Sequence, residues 1–137
     1  MYKRQGIYKC HEDFSTGVDA VYITAHRGTN PKYMPYILKP FFDNNIPTFA
    51  QEGPEQVKRG VLLSIARVET VDMGNFYAET IAKIFNGISP REIDQVFEQK
   101  KRIVINMETA RRIGVTIPES IIKSADAIYE TIENEKM

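Results

Sequence analysis

Apolar positions along this chain recur with two periods. Short, nearly continuous apolar runs fall at residues 20–24, 46–50, 61–66 and 102–106. Each is rich in β-branched residues and bounded by Gly, Pro, Asn or polar residues, which predicts four strands. The lack of strict alternation in Ala20-Val21-Tyr22-Ile23-Thr24 predicts burial on both faces, as in a parallel sheet. Between these runs the period lengthens to that of a helix. Met34, Ile37, Leu38, Phe41 and Phe42 predict a helix over 33–44, bent by Pro40 and stopped at Asn44-Asn45. Residues 55–59 carry a turn or two, broken by Gly60.

A longer helix is expected from Thr70 or Asp72 to Phe85, with Met73, Phe76, Tyr77, Ile81, Ile84 and Phe85 as its core face and Gly87 as its stop. Gly74 inside it costs about 1 kcal/mol against Ala, which suggests close approach of another backbone. Asn106 caps a short helix ending near Ile113-Gly114. Thr116 and Glu119 fit a capping box with Pro118 in the first turn. Ile121, Ala125, Ile128 and Ile132 then line the core side of a last helix. Strand and helix patterns alternate. The expected class is α/β, a layered, mostly parallel sheet of three or four strands flanked by helices.

Composition narrows the function little. The 137 residues suffice for one compact domain, and Lys plus Arg equals Asp plus Glu at 18 each. That balance supplies no drive toward nucleic acid or an anionic membrane, so no nucleic-acid partner is expected. No apolar stretch approaches the ~20 residues of a membrane span. The single Cys10 excludes an internal disulfide, and the polar Gly6-Ile7-Tyr8-Lys9 before it does not suit lipid attachment. Cys10 with His11, Glu12 and Asp13 is too thin a set for a zinc site or a nucleophile. There is no phosphate-binding glycine loop, and no carboxylate pair stands out as acid and base. Glu98 to Arg102 reads as a solvated approach to a strand, and Arg111-Arg112 as the outer face of its helix. No catalytic residue, metal ligand or cofactor is assigned.

One string is more specific than the rest. It runs from the 61–66 strand through Met73-Gly74 and Phe85-Asn86-Gly87. It continues into Ile103-Val104-Ile105-Asn106-Met107-Glu108-Thr109-Ala110 and Gly114-Val115-Thr116-Ile117-Pro118-Glu119. This resembles the C-terminal part of substrate-binding proteins of ABC importers, in the family that includes tryptophan- and tyrosine-type binders. The resemblance covers residues 17–132 and is strongest after Gly60. It implies a partial type I periplasmic-binding-protein fold of two α/β lobes, a solute held between them, and delivery to a membrane permease. The implied partners are a small-molecule solute, an ABC permease and a missing N-terminal lobe of the same chain. The implied location is periplasmic or extracellular, as a membrane-anchored lipoprotein. This chain departs from the family pattern at Ala66-Arg67-Val68-Glu69, where many relatives carry a Gly-x-Asp turn. Its 25–31 loop also lacks an Asp-Asn or Ser-rich signature.

The resulting division is 1–16 as a poorly determined segment, 17–66 as second-lobe α/β part, and 67–137 as hinge crossing, first-lobe helix and C-terminal strand and helices. Met1-Tyr2-Lys3-Arg4-Gln5 looks foreign to the rest of the chain, with a genuine polar start as the alternative. Ala66 and Arg67 lie at the expected hinge. In open α/β sheets ligands sit beyond the carboxyl ends of the strands, which here are Thr24-Ala25-His26-Arg27 and Gln51-Glu52-Gly53. Thr24 and Gln51 offer neutral donors and acceptors, Glu52 could hold an ammonium, and His26 or Arg27 could meet a carboxylate or ring. The mixture suits an amino acid or another small zwitterion. Two other classes stay open: a ligand-sensing domain of a regulator or receptor with the same fold, and a small α/β enzyme.

Overall fold

The computed structural model describes residues 2–51, 53–66, 70–97 and 101–133. The chain divides into two compact units, Met1–Ala66 with Arg102–Met137, and Arg67–Lys101.

The first unit is built on a five-stranded sheet in the order β1 (Val21–Ile23), β2 (Thr48–Ala50), β3 (Leu63–Ala66), β4 (Arg102–Asn106), β5 (Ala127–Tyr129). Pairing is parallel except between β3 and β4, so the sheet is mixed and mostly parallel. Its helices are α1 (Tyr2–Phe14), α2 (Met34–Asp43), α3 (Pro54–Lys58), α5 (Met107–Arg112) and α6 (Glu119–Ser124). The register aligns Ile23, Ala50, Ser64, Val104 and Ala127 in one row across the sheet. Against the apolar members of that row lie Met34, Ile37, Leu38 and Phe41 of α2 and Val57 of α3, all fully buried. Each such side chain contributes about 1.5–3 kcal/mol by leaving water. The adjacent row runs Tyr22, Phe49, Leu63, Ile105 and Ile128. Ile105 is buried, but Tyr22 is 62% exposed. The expectation of a first strand covered on both faces therefore fails, because this face of the sheet is only partly covered: Ile65 of the central β3 and Ile128 of β5, on the same face, are 56% and 40% exposed.

A second cluster of Leu62, Ala110 and Ile113 joins α5 to the start of β3, and the Arg112 guanidinium sits 4.3 Å from the centre of the Phe42 ring. Gly60 makes the turn before it with φ +107. A methyl there would stand 3.2–3.3 Å from Phe42, Ile132 and Leu38, so glycine serves both the backbone and the packing.

The polar centre of this unit is Asn106, the last residue of β4 and the N-cap of α5. Its amide oxygen accepts from the Thr109 N–H at 3.0 Å, and its amide nitrogen donates to the Val57 carbonyl at 2.9 Å. The Thr109 hydroxyl donates to the Gly60 carbonyl at 2.8 Å. The cap expected from sequence is thus present, and it also ties α3 and the Gly60 turn to β4.

The C-terminal segment corrects the sequence reading. The expected long helix ends at Ser124, and Ala127–Tyr129 is a strand parallel to β4. Asp126 sets this pairing: its backbone N–H donates to the Ile103 carbonyl at 2.8 Å while its carboxylate accepts from the Ile103 N–H at 2.8 Å. Arg111 donates to the Glu130 carbonyl at 2.8 Å, and Glu108 accepts from the Ile132 N–H at 2.6 Å. The capping box is also absent, because Pro118 rather than Thr116 occupies the N-cap, and Glu119 pairs with Lys123 at 2.7 Å. The α1 helix had no counterpart in the sequence reading. It is held by a Tyr8–Tyr36 ring contact at 5.8 Å and by His11 edge-on to Phe41 at 5.8 Å.

The second unit contains α4 (Thr70–Phe85), matching the expected helix, and Gly87 stops it with φ +90. Phe76 meets Phe97 at 5.2 Å, and Ile93 is buried. The rest of the expected core face is not core here: Tyr77, Ile81, Ile84 and Phe85 are exposed, Phe85 at 86%. A methyl at Gly74 would meet no described atom within 4 Å, so no close backbone accounts for that glycine.

Replacing Asn106 by Ala removes the cap and one of two donors to the Val57 carbonyl, which keeps the Gly60 N–H at 3.0 Å. The expected loss is about 1–3 kcal/mol, measured by urea unfolding.

Candidate functional site

The two parallel strands β1 and β2 end side by side, and the loops that leave them are joined. The Gln51 N–H donates to the Ile23 carbonyl at 3.0 Å, which extends the ladder one residue past β2. The Gln51 side-chain oxygen then accepts from the Ala25 N–H at 2.9 Å. The side-chain oxygen is thereby occupied, and the amide protons are left to donate. Two of the expected site segments, 24–26 and Gln51, therefore meet at one rim. Glu52, the expected ammonium partner, lies outside the described residues, as does Arg67. Ala66 ends β3 opposite Arg102, where the chain passes between the two units.

The 24–33 loop is folded on itself by short-range polar contacts. Thr29 is the centre: its hydroxyl lies 2.8 Å from the Thr24 carbonyl and 2.9 Å from the His26 carbonyl, and accepts from the His26 N–H at 3.0 Å. His26 caps the turn Arg27–Thr29, its Nδ1 accepting from the Gly28 N–H at 3.0 Å. A ring that accepts at Nδ1 carries its proton on Nε2, so His26 has a donor to offer outward in the neutral form. Asn30 repeats the device one turn later, accepting from the Lys32 N–H at 3.0 Å. Gln56, fully buried on α3, donates to the Thr29 carbonyl at 2.9 Å and pins the loop from beneath. The side chains of Thr24, His26, Arg27 and Gln51 are exposed.

Sequence reasoning missed Thr29 and Gln56. Thr29 sits three residues after His26 in an S/T-type turn pattern that was legible in principle. Gln56 gave no local signal, because its partner is 27 residues away. A recess of about 590 Å³ opens beside this loop, lined by Ile7 and Tyr8 of α1 and by His26, Arg27, Gly28, Asn30, Lys32 and Tyr33. The described residues contain no group of three or more His, Cys, Asp and Glu placed to hold a metal ion.

A family described as ABC transporter substrate binding protein matches residues 7–129. The chain belongs to this family. The family is one of binding proteins and not an enzyme class. Three solved structures of similar fold are a conserved domain protein from Vibrio cholerae, an ABC domain in complex with L-Trp from Streptococcus pneumoniae, and the ligand-free, open form of a substrate-binding protein with adhesive properties from Clostridium difficile. Their identities are 21%, 22% and 19%, and their TM-scores 0.67, 0.67 and 0.72. The matches cover 91%, 91% and 93% of this chain but only 41%, 41% and 42% of those chains. At these identities the likeness is one of fold. A search of curated proteins returns no match. The substrate-binding family and its fold thus agree with the resemblance, which is strongest after Gly60. Among the described residues no helix is long and apolar enough to cross a membrane.

Replacing Thr29 by Val keeps the shape and removes the hydroxyl contacts to Thr24 and His26. Hydrogen exchange at the His26 amide should quicken about tenfold, while global stability falls by about 1 kcal/mol, both read by NMR.

Proposed function

We propose that this chain is part of the solute-binding component of an ABC importer, which captures a small molecule between two lobes and hands it to a membrane permease. The observation that carries this is the rim where Thr24, His26 and Gln51 meet at the carboxyl ends of two adjacent parallel strands, in a chain of the substrate-binding family. Thr24, His26 and Gln51, with Glu52 next in sequence, are this lobe's proposed share of the ligand contacts. An amino acid is the ligand class proposed, since the exposed Thr24, His26 and Gln51 combine neutral donors with a histidine, and the sequence adds an acid at Glu52.

The other share belongs to a first lobe. Two features support this: the chain spans about two fifths of the length of the solved structures it matches, and α4 exposes Tyr77, Ile81, Ile84 and Phe85 along one side. Single exposed apolar residues are ordinary, whereas a helix-long stripe of them marks an interaction surface. The hinge is assigned to Ala66 and Arg67. A ligand that touches both lobes favours the closed state by its differential affinity, which is how binding is signalled to the permease. Export to the periplasm or cell exterior, with a lipid anchor, belongs to the same reading.

The test is a thermal-shift screen of the full-length protein against the common amino acids. A ligand at a hundred times its Kd should stabilise by about 2.7 kcal/mol. Replacing Gln51 by Ala should weaken that binding about tenfold by calorimetry. Absence of a shift with every amino acid would sink the ligand class, and a full-length gene product without a preceding α/β lobe would sink the importer role.

A further inference from the structure

The residues Glu130–Glu133 that follow β5 form no helix or strand, yet each is bonded through its main chain. Arg111 donates to the Glu130 carbonyl at 2.8 Å and reaches the Glu130 carboxylate at 3.1 Å. The Asn106 amide nitrogen lies 3.4 Å from the Thr131 carbonyl, and Glu108 accepts from the Ile132 N–H at 2.6 Å. Glu133 closes the segment: its N–H donates to the Lys58 carbonyl at 2.8 Å, and its carbonyl accepts from Arg59 at 3.2 Å. Ile132 packs at the Gly60 turn, its Cδ1 3.3 Å from where a methyl on that glycine would stand. Irregular backbone usually runs over the surface and pairs with water. Here its partners belong to α3, to α5 and to the end of β4, so the segment is a strap fastened to all three.

The element with most to lose from a loose strap is α3. It has five residues, far too few for a helix to be stable by itself, and its N-cap Gly53 supplies no side-chain cap. Its position is therefore set by its neighbours. At its C-terminal end the Val57 carbonyl takes the Asn106 amide, and the Lys58 carbonyl takes the Glu133 N–H. The same helix carries Gln56, fully buried, which donates to the Thr29 carbonyl at 2.9 Å. Thr29 is the residue around which the 24–33 loop folds. Strap and rim loop thus hold residues 58 and 56 of one short helix.

We infer that Glu130–Glu133 positions the rim loop at a distance, through α3, with Gln56 as the positioning residue between them. Loss of the strap frees the last turn of α3, Gln56 loses its aim at the Thr29 carbonyl, and the 24–33 loop loosens while the central sheet stays intact. The bearing on solute capture rests on the reading of this loop as part of the solute rim.

Hydrogen exchange of the full-length protein, followed by NMR without any solute, tests the coupling. Arg111→Ala, alone and with Glu108→Ala, lifts the strap. Gln56→Met keeps the size of the side chain and removes its donor. Each change should quicken exchange at the Thr29 and Tyr33 amides, which are bonded within the loop, about tenfold and leave the β3 and β4 amides unchanged. Added to Gln56→Met, the strap change should have no further effect, because the link it acts through is already cut. Arg111 is exposed, so its single replacement keeps the fold and carries the test if the double variant does not fold. Loop amides that keep their rate when the strap is lifted overturn the inference. So do strap and Gln56 effects that multiply, and so does a quickening shared equally by the β3 and β4 amides, which is loss of global stability alone. Coupling seen in a protein that binds no amino acid supports the strap and sinks only the ligand class.

Discussion

The buried amide of Asn106 is the constraint on which the first unit depends. One side chain satisfies the first turn of α5 and a carbonyl of α3, and its neighbour Thr109 satisfies the carbonyl of Gly60. These groups lie in a dry interior, where an unmade hydrogen bond costs more than a made one contributes. Asparagine is the side chain of this size that presents an acceptor and a donor together without charge. The consequence is positional. The turn at Gly60 and the start of α5 are held against the sheet, and α3 is held with them. Gln56 on α3 then reaches the Thr29 carbonyl, so the placement of the rim loop is linked to the core by two consecutive buried amides.

The rim is thus a loop made rigid from two directions. Thr29 closes it internally, and Gln56 and Gln51 fasten it to the neighbouring strand-end segment. Order of this kind before binding limits the entropy lost when a ligand arrives. It also leaves the Arg27 and Lys32 side chains exposed.

The second unit obeys a different logic. Its helix α4 has the period of an amphipathic helix, yet little of its apolar side is covered, and Phe85 is almost fully exposed. Local packing through Phe76, Phe97 and Ile93 accounts for part of that side only. The chain enters and leaves this unit at Ala66 and Arg102, which pair with each other at the edge of the β3–β4 ladder.

Sequence by itself determined the features that depend on near neighbours. The periods of 33–44 and 70–85 produced α2 and α4, and the run ending at Asn106 produced β4 and its cap. Gly60, Gly87 and Gly114 stop elements with positive φ where a breaker was read. The strand ends at Thr24 and Gln51 were legible for the same reason. Only the tertiary structure decided β5. Ile121, Ala125, Ile128 and Ile132 imitate a helical stripe, and Ala127–Tyr129 becomes a strand because Asp126 and Ile103 exchange hydrogen bonds across the chain. It likewise decided α1, whose polar sequence is held by Tyr36 and Phe41, and Gln56, whose partner is distant. Short strands and buried polar links draw their stability from residues far along the chain, so nothing in their own neighbourhood announces them.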